Sequence, residues 1–387
     1  MTGSERTDGR RTPVPTQRFA RAAQAATTPA TERRAILADP GFGRHFTDHM
    51  ARARWSPEEG WHGAEVCGLR PYELHPGTAV LHYAQEIFEG LKAYRQPDGG
   101  VALFRPELNA ARFVRSARRL ALPELPPELF VESVAELVRA DAAWVPDPAT
   151  DASLYLRPYM FAAEAFLGVR PAQNVEYGVV ASPAGPYFSA GSAGITLWID
   201  REHTRAARGG TGSAKCGGNY AASLLPQALA KQHGCDQVLH TIDVSGETFV
   251  DESGTMNLFI VTRDAELVTP SLGTILPGVT RDTVLALAEA HQLQAVERPV
   301  PLEELVGRID DGTIVEVFAS GTAAVITSVT ALRGPGTRVA VASGKPGRRT
   351  AELRRHITDL QFGRRPDDRG WSYPVLDRLG ADSGEPS

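Results

Sequence analysis

Residues 209–224, GGTGSAKCGGNYAASL, set five glycines around one lysine, Lys215, and then run on into an apolar stretch. Glycine permits backbone turns and close approaches that other residues resist. The run therefore predicts a tight loop feeding a helix, with Lys215 held where the backbone crowds. Two chemistries use such a lysine: cradling a phosphate, or forming a Schiff base with a carbonyl. The first requires G-x-x-x-x-G-K-[ST], whose hydroxyl after the lysine holds Mg²⁺. Here Ala214 precedes Lys215 and Cys216 follows it, so both neighbours are wrong. No G-x-G-x-x-G run lies between a strand and a helix either. A phosphate- or nucleotide-binding module without covalent chemistry is the weaker reading.

Composition adds weight to the lysine. Of 41 Lys plus Arg residues only four are lysines: Lys92, Lys215, Lys231 and Lys345. Arginine cannot be deprotonated in a protein, whereas a lysine amine can. A chain that writes nearly all its cations as Arg yet keeps Lys215 in a glycine-rich loop points to amine chemistry there. The other three lysines have no comparable setting. At 387 residues, with 42% hydrophobic and 22% charged, the chain reads as a globular protein of two domains. A net charge of −5 gives no electrostatic reason to expect nucleic acid or an anionic membrane as a partner. Cys67, Cys216 and Cys235 form no CxxC pair, so neither a disulfide framework nor a zinc knuckle is expected. No apolar run reaches the length of a membrane span, and a cytoplasmic location is expected. His45 and His49 are spaced i, i+4, but Phe46 breaks H-E-x-x-H, so no metal is expected.

The pattern along the chain is α+β. Residues 1–36 lack an apolar period and read as a disordered arm; 364–387 read as a flexible tail. Residues 37–184 form a small α+β domain, with strands at 101–106, 153–161 and 177–182. Its helices follow Pro106, with Leu108, Ala111, Phe113, Val114 and Leu120 on one face, and span 129–145. The Pro/Gly/Ser-rich segment 185–194 is an interdomain loop. Residues 195–363 form the large domain. It holds strands ITLWID, QVLHTID, TFVDE, NLFIVT and IVEVFAS, helices over 219–234 and 280–292, and a closing helix 347–362 with Leu353, Ile357 and Leu360 inward.

A pyridoxal phosphate enzyme needs more than a lysine. It needs a carboxylate against the pyridine nitrogen, a partner for the phenolic oxygen, and backbone amides plus an arginine for the phosphate. Candidates occur in chain order as FRP with Arg105, AKCGGNY with Lys215 and Tyr220, DESGTMNLF with Glu252, LPGVTRD (276–282) and ASGTAAVI (319–326). Together with FTDHM (46–50), LHYAQEIFEGLKAYR (81–95) and SLYLRP (153–158), this set closely resembles the branched-chain amino acid aminotransferases, enzymes of the D-amino acid aminotransferase-like fold (fold type IV). The blocks stand in the family's order over roughly residues 40–363.

The resemblance implies a function: reversible transamination between leucine, isoleucine or valine and 2-oxoglutarate, with pyridoxal 5'-phosphate as cofactor. It implies that Lys215 forms the Schiff base and shuttles a proton, that Tyr220 meets the phenolic oxygen, and that Glu252 pairs with the ring nitrogen. Arg105, Val279, Thr280 and Thr322 would hold the phosphate, and the amides of Thr322 and Ala323 would meet the substrate carboxylate. Phe42, Tyr83, Phe88, Tyr155 and Tyr187 would wall the side-chain pocket, and Arg157 would greet the second carboxylate of glutamate. The family's site lies between the domains and is completed by a second subunit, so a homodimer is implied. Two departures stand out. TAAVIT lacks the CxxC thiol switch of the animal members, and Ser253 follows Glu252 where an apolar residue is expected. D-amino acid transaminases and aminodeoxychorismate lyases share the lysine and glutamate but lack the long amino-terminal lobe, and fit less well.

Overall fold

The computed structural model describes residues 19–21, 26–185 and 194–377. Their strands make two nine-stranded sheets, joined between Ala184 and Ile195. The first runs in the order Ala20–Arg21, Gly60–Gly68, His49–Ser56, Val175–Ala184, Ser153–Ala162, Leu91–Arg95, Val101–Phe104 and Ser372–Leu376, with Glu86–Phe88 paired beside Ser153–Ala162. The second is mixed: Ile195–Asp200 lies parallel to both Gln237–Val244 and Val325–Gly334, while Ile314–Gly321 runs antiparallel to Asn257–Thr262 and Val325–Gly334. Helices cover these sheets, which gives the α+β class expected.

Each lobe has its own apolar core. In the first, helices Pro106–Arg119 and Pro127–Ala140 pack together and against the sheet, and Phe113, Phe130, Leu137, Trp144 and Tyr177 are fully buried. Tyr177 keeps its hydroxyl satisfied inside that core by a 2.7 Å bond with Ser133 Oγ. In the second, Phe259 stacks on Phe318 at 5.0 Å, under helices Val279–Leu287 and Arg348–Gln361. The closing helix turns Leu353, Ile357 and Leu360 inward, the stripe its spacing predicted.

Several local expectations needed revision. Strand Ala20–Arg21 lies inside the stretch read as an arm and helix Ala30–Ala38 straddles its end, while Ser372–Leu376 lies inside the stretch read as a tail. Both strands complete the edges of the first sheet, through backbone pairing that needs no apolar period. The helix read over 219–234 is two pieces, Gly217–Ala221 and Leu224–Gln232. Pro226 has no N–H to donate back to Ala222, so the chain turns at Ser223 and restarts with the proline in its first turn. His49 opens a strand rather than sharing a helix face with His45, and its Nδ1 meets Asp141 Oδ1 at 2.7 Å. Helix Pro106–Arg119 buries Asn109, Arg112 and Ser116 beside Phe113, whereas Leu108, Ala111 and Val114 are only partly covered. That polar face is spent on the site.

Candidate active site

The lysine loop is tied by its own side chains. Asn219 Nδ2 donates to the carbonyls of Thr211 and Ala214, both at 2.8 Å, and Asn219 Oδ1 accepts from Thr211 Oγ1 at 2.7 Å. A Cβ at Gly212 would run into the Thr274 carbonyl, so this position has room only for glycine. Lys215 Nζ donates to the Tyr220 hydroxyl at 2.7 Å. Burial, reinforced by the Arg112 guanidinium, pulls the Lys215 amine down to about 8, and burial pushes the Tyr220 phenol up. The amine is thus within reach of neutrality, as a nucleophile requires.

Glu252 closes the other end of this arrangement, in a recess it shares with Tyr220, Asn219 and Arg205. Its Oε1 accepts from the Leu276 amide at 3.0 Å and Asn257 Nδ2 at 3.1 Å. Burial pushes the carboxyl up to about 7, with Arg205 pulling against it. Arg205 Nε lies 3.2 Å from Glu252 Oε2 and its Nη2 lies 3.5 Å from Asp251 Oδ2. The same Nη2 donates to the Thr274 carbonyl at 2.7 Å. Arg205 went unrecognised in the sequence, where RAARGG carries no local mark of a buried ion pair.

Between these groups is a cavity of about 360 Å³. Gly278, Val279 and Thr280 line it at the start of helix Val279–Leu287, and no side chain caps that turn. A helix N-terminus left open in this way receives an anion such as a phosphate. Thr322 and Ala323 line it as well, and Thr322 shares a smaller recess with Val279 and Thr280. Phe42, Phe88, Tyr155 and Arg157 supply an aromatic wall. Phe42 meets Tyr155 edge-on at 5.1 Å, and Phe88 meets Tyr220 at 4.8 Å. The Arg157 guanidinium stands 4.8 Å from the Phe88 ring centroid and donates through Nη2 to the Tyr155 hydroxyl at 3.1 Å. Its buried Nε has no hydrogen-bond partner among the described residues.

Two expected site residues stand elsewhere, and a third falls outside the description. Arg105 is not on the cavity wall; its guanidinium binds Asp282 Oδ1 at 2.6 Å and Thr283 Oγ1 at 2.7 Å, in the first turns of helix Val279–Leu287. Tyr83 ends the short helix Val80–Tyr83 and projects outward, 40% exposed, its hydroxyl on the Leu167 carbonyl. Tyr187 lies outside the described residues. In their place the fold brings in Arg112, whose guanidinium makes a bidentate pair with the fully buried Glu89 at 2.7 and 2.8 Å. Lys92 is buried as well, its Nζ donating to the Ala323 carbonyl at 2.9 Å.

Residues 86–332 match the amino-transferase class IV family, more than half of the chain. The chain belongs to that family. A branched-chain-amino-acid aminotransferase of Mycolicibacterium smegmatis is 49% identical over 353 residues, spanning 90% of this chain and 96% of its own. Among solved structures, the Escherichia coli branched-chain amino acid aminotransferase superposes with a TM-score of 0.69 at 28% identity, covering 84% of this chain and 99% of its own. The enzyme of that name from Thermobaculum terrenum, solved in its PLP-form, shares the fold with a TM-score of 0.68 at 24% identity, covering 84% of this chain and 98% of its own.

Proposed function

We propose that this aminotransferase exchanges the amino group between leucine, isoleucine or valine and 2-oxoglutarate, with pyridoxal 5'-phosphate as its cofactor. The observation that carries the reading is the Lys215 amine lying 2.7 Å from the hydroxyl of Tyr220, which lines both the cavity holding Lys215 and the recess holding Glu252. The residues fit the cofactor: a partly buried amine, a buried carboxylate, an uncapped helix start at Gly278, and, on the cavity wall, a Ser320 Oγ with no partner among the described residues. When bound, the cofactor supplies an electron-accepting ring for the charge left at the substrate Cα.

The protein's own groups do the rest. Lys215 would hold the cofactor and move the proton at the substrate Cα. Tyr220 would donate to the cofactor's phenolic oxygen, and Glu252 would keep the ring nitrogen protonated. The amides of Val279 and Thr280, the Thr322 side chain and, behind the helix, Arg105 would hold the phosphate. The Thr322 and Ala323 amides would orient the substrate carboxylate. Phe42, Phe88 and Tyr155 favour an apolar side chain, since an unpaired buried charge is costly. Arg157, with its free Nε, suits a longer second carboxylate. The amines and 2-oxo acids named are thus the substrate class.

A homodimer forms part of this proposal. Leu81, Tyr83, Leu167 and Val169 are exposed apolar residues, with Tyr83 bonded to Leu167, and they give a surface suited to a second copy. A cytoplasmic setting suits three free, buried cysteines, and no described helix is long and apolar enough to cross a membrane. The test is spectroscopic. Protein reconstituted with the cofactor should show visible absorption that borohydride abolishes, with the reduced group on Lys215. Loss of this absorption on adding leucine, and its return on adding 2-oxoglutarate, should follow. Failure of either step would reject the assignment.

A further inference from the structure

The peptide that carries Lys215 belongs to the second lobe by sequence, yet the first lobe holds it on three sides. Ser116 Oγ, on helix Pro106–Arg119, accepts from the Lys215 amide at 2.9 Å across 99 positions of sequence. The Phe88 amide donates to the Lys215 carbonyl at 2.9 Å. The Glu86 carboxylate accepts from the Gly217 amide across 131 positions. Glu86 and Phe88 are the two ends of strand Glu86–Phe88, and the Phe88 ring also lies 4.8 Å from Lys215 Nζ. Alternation along a strand turns its first and third side chains to one face. A three-residue strand thus grips the lysine segment through a backbone amide at one end and a carboxylate at the other.

Gly217 shows how closely the grip is built. A Cβ placed there would collide with Glu86 Oε1, so the glycine is what lets the carboxylate reach its amide. Glu86 is half-buried and its ordinary ionisation is opposed by burial, with the Gly217 amide and the Arg157 charge as compensation. A carboxylate buried in such a place, bonded to one backbone amide, is costly unless that bond matters.

We infer that Glu86 is a positioning residue: through the Gly217 amide it clamps the Lys215 segment to the first lobe, so that the amine returns to one fixed place at each release of product. This rests on the reading of Lys215 as the cofactor lysine. Glu86 does not touch the reacting atoms in this scheme. Its effect is on how readily the amine finds the cofactor, and an amide side chain can accept the same hydrogen bond as a carboxylate.

The test measures the rate at which cofactor-free protein captures pyridoxal 5'-phosphate on its lysine, followed by visible absorption and fixed with borohydride for peptide mapping. Glu86→Ala should slow capture by roughly tenfold to a hundredfold, the range for a lost hydrogen bond to a charged group. Glu86→Gln should recover most of the rate. Gly217→Ala, whose methyl displaces the carboxylate, should slow capture like Glu86→Ala, and the two changes together should cost little more than either alone. The Gly217→Ala arm serves equally if Glu86→Ala does not fold. Capture by Glu86→Ala at the parental rate, or a Gln variant as slow as Ala, overturns the clamp. Parent protein labelled on a residue other than Lys215 overturns the underlying reading and the clamp with it.

Discussion

Arg205 Nε stands 3.2 Å from Glu252 Oε2, both groups buried, and its Nη2 stands 3.5 Å from Asp251 Oδ2. One cation serves two carboxylates whose burial pushes both of them upward. The arrangement keeps a negative charge available at Glu252 where the surroundings oppose it. Asp251 in turn accepts from Thr274 Oγ1 at 2.6 Å, so that it competes less for the arginine.

Arg205→Met should therefore shift the acid limb of the rate profile. Glu252 already titrates near about 7, and removing the neighbouring cation raises a carboxyl further. Activity that needs the carboxylate will then be lost at a higher pH than in the parent. Arg205→Lys should restore part of the shift. Steady-state rates across the pH range check this, and an unmoved acid limb in Arg205→Met would contradict it.

Replacing Lys215 by Ala should lower turnover by at least roughly 10²–10⁴-fold, the scale of a lost proton-transfer group. Lys215→Arg should do no better, because a guanidinium remains charged and forms no Schiff base. Appreciable steady-state turnover in either variant would remove Lys215 from the chemistry.

Lys215 also has a signature in the stability of the cofactor-free protein. Its folded pKa of about 8 lies below the ordinary 10.5, so between those values the unfolded chain binds the more protons. Stability contributed by this group rises with pH across that window, and the cost of burial is fully present below it. Lys215→Met should be the more stable protein at neutral pH, by on the order of 1–3 kcal/mol, with the gap closing toward strongly alkaline pH. Urea unfolding at two pH values reads this out; a gap independent of pH would mean that another group titrates.

Arg157→Met should impair the half-reaction with glutamate by roughly tenfold to a hundredfold, the range for a lost hydrogen bond to a charged group. The half-reaction with leucine should stay close to that of the parent, since Phe42, Phe88 and Tyr155 still wall the pocket. Single-turnover rates for each amino acid are the measurement. Equal losses would show that Arg157 holds the aromatic wall in place rather than reading the second carboxylate.

What was legible in the chain was the part written in short words. Lys215 and Tyr220 lie five residues apart and meet at 2.7 Å, and Gly278–Val279–Thr280 makes an uncapped helix start from consecutive residues. Of the aromatic residues named for the pocket wall, Phe42, Phe88 and Tyr155 line one cavity and Tyr83 does not. Illegible were contacts whose two halves lie far apart and carry no local pattern. Arg205 beneath Glu252, Ser116 under the lysine amide and Arg112 on Glu89 are of this kind. Ser116 and Arg112 were hidden further because a buried helix face was expected to be apolar. Arg105, expected at the phosphate from its FRP run, is off the cavity wall because Asp282 and Thr283, distant in sequence, hold its guanidinium.

The strand Ser372–Leu376 gives the molecule a clasp. After the closing helix Arg348–Gln361 the chain returns to the first sheet, where it zips onto Val101–Phe104 and where Arg139 Nε binds the Val375 carbonyl at 3.1 Å. The lobes are therefore stitched by the polypeptide at two separate crossings. The first sheet is thus complete only when chain that follows the second lobe has been laid against its edge. Without that strand, the backbone groups of Val101–Phe104 on this side would lose their partners.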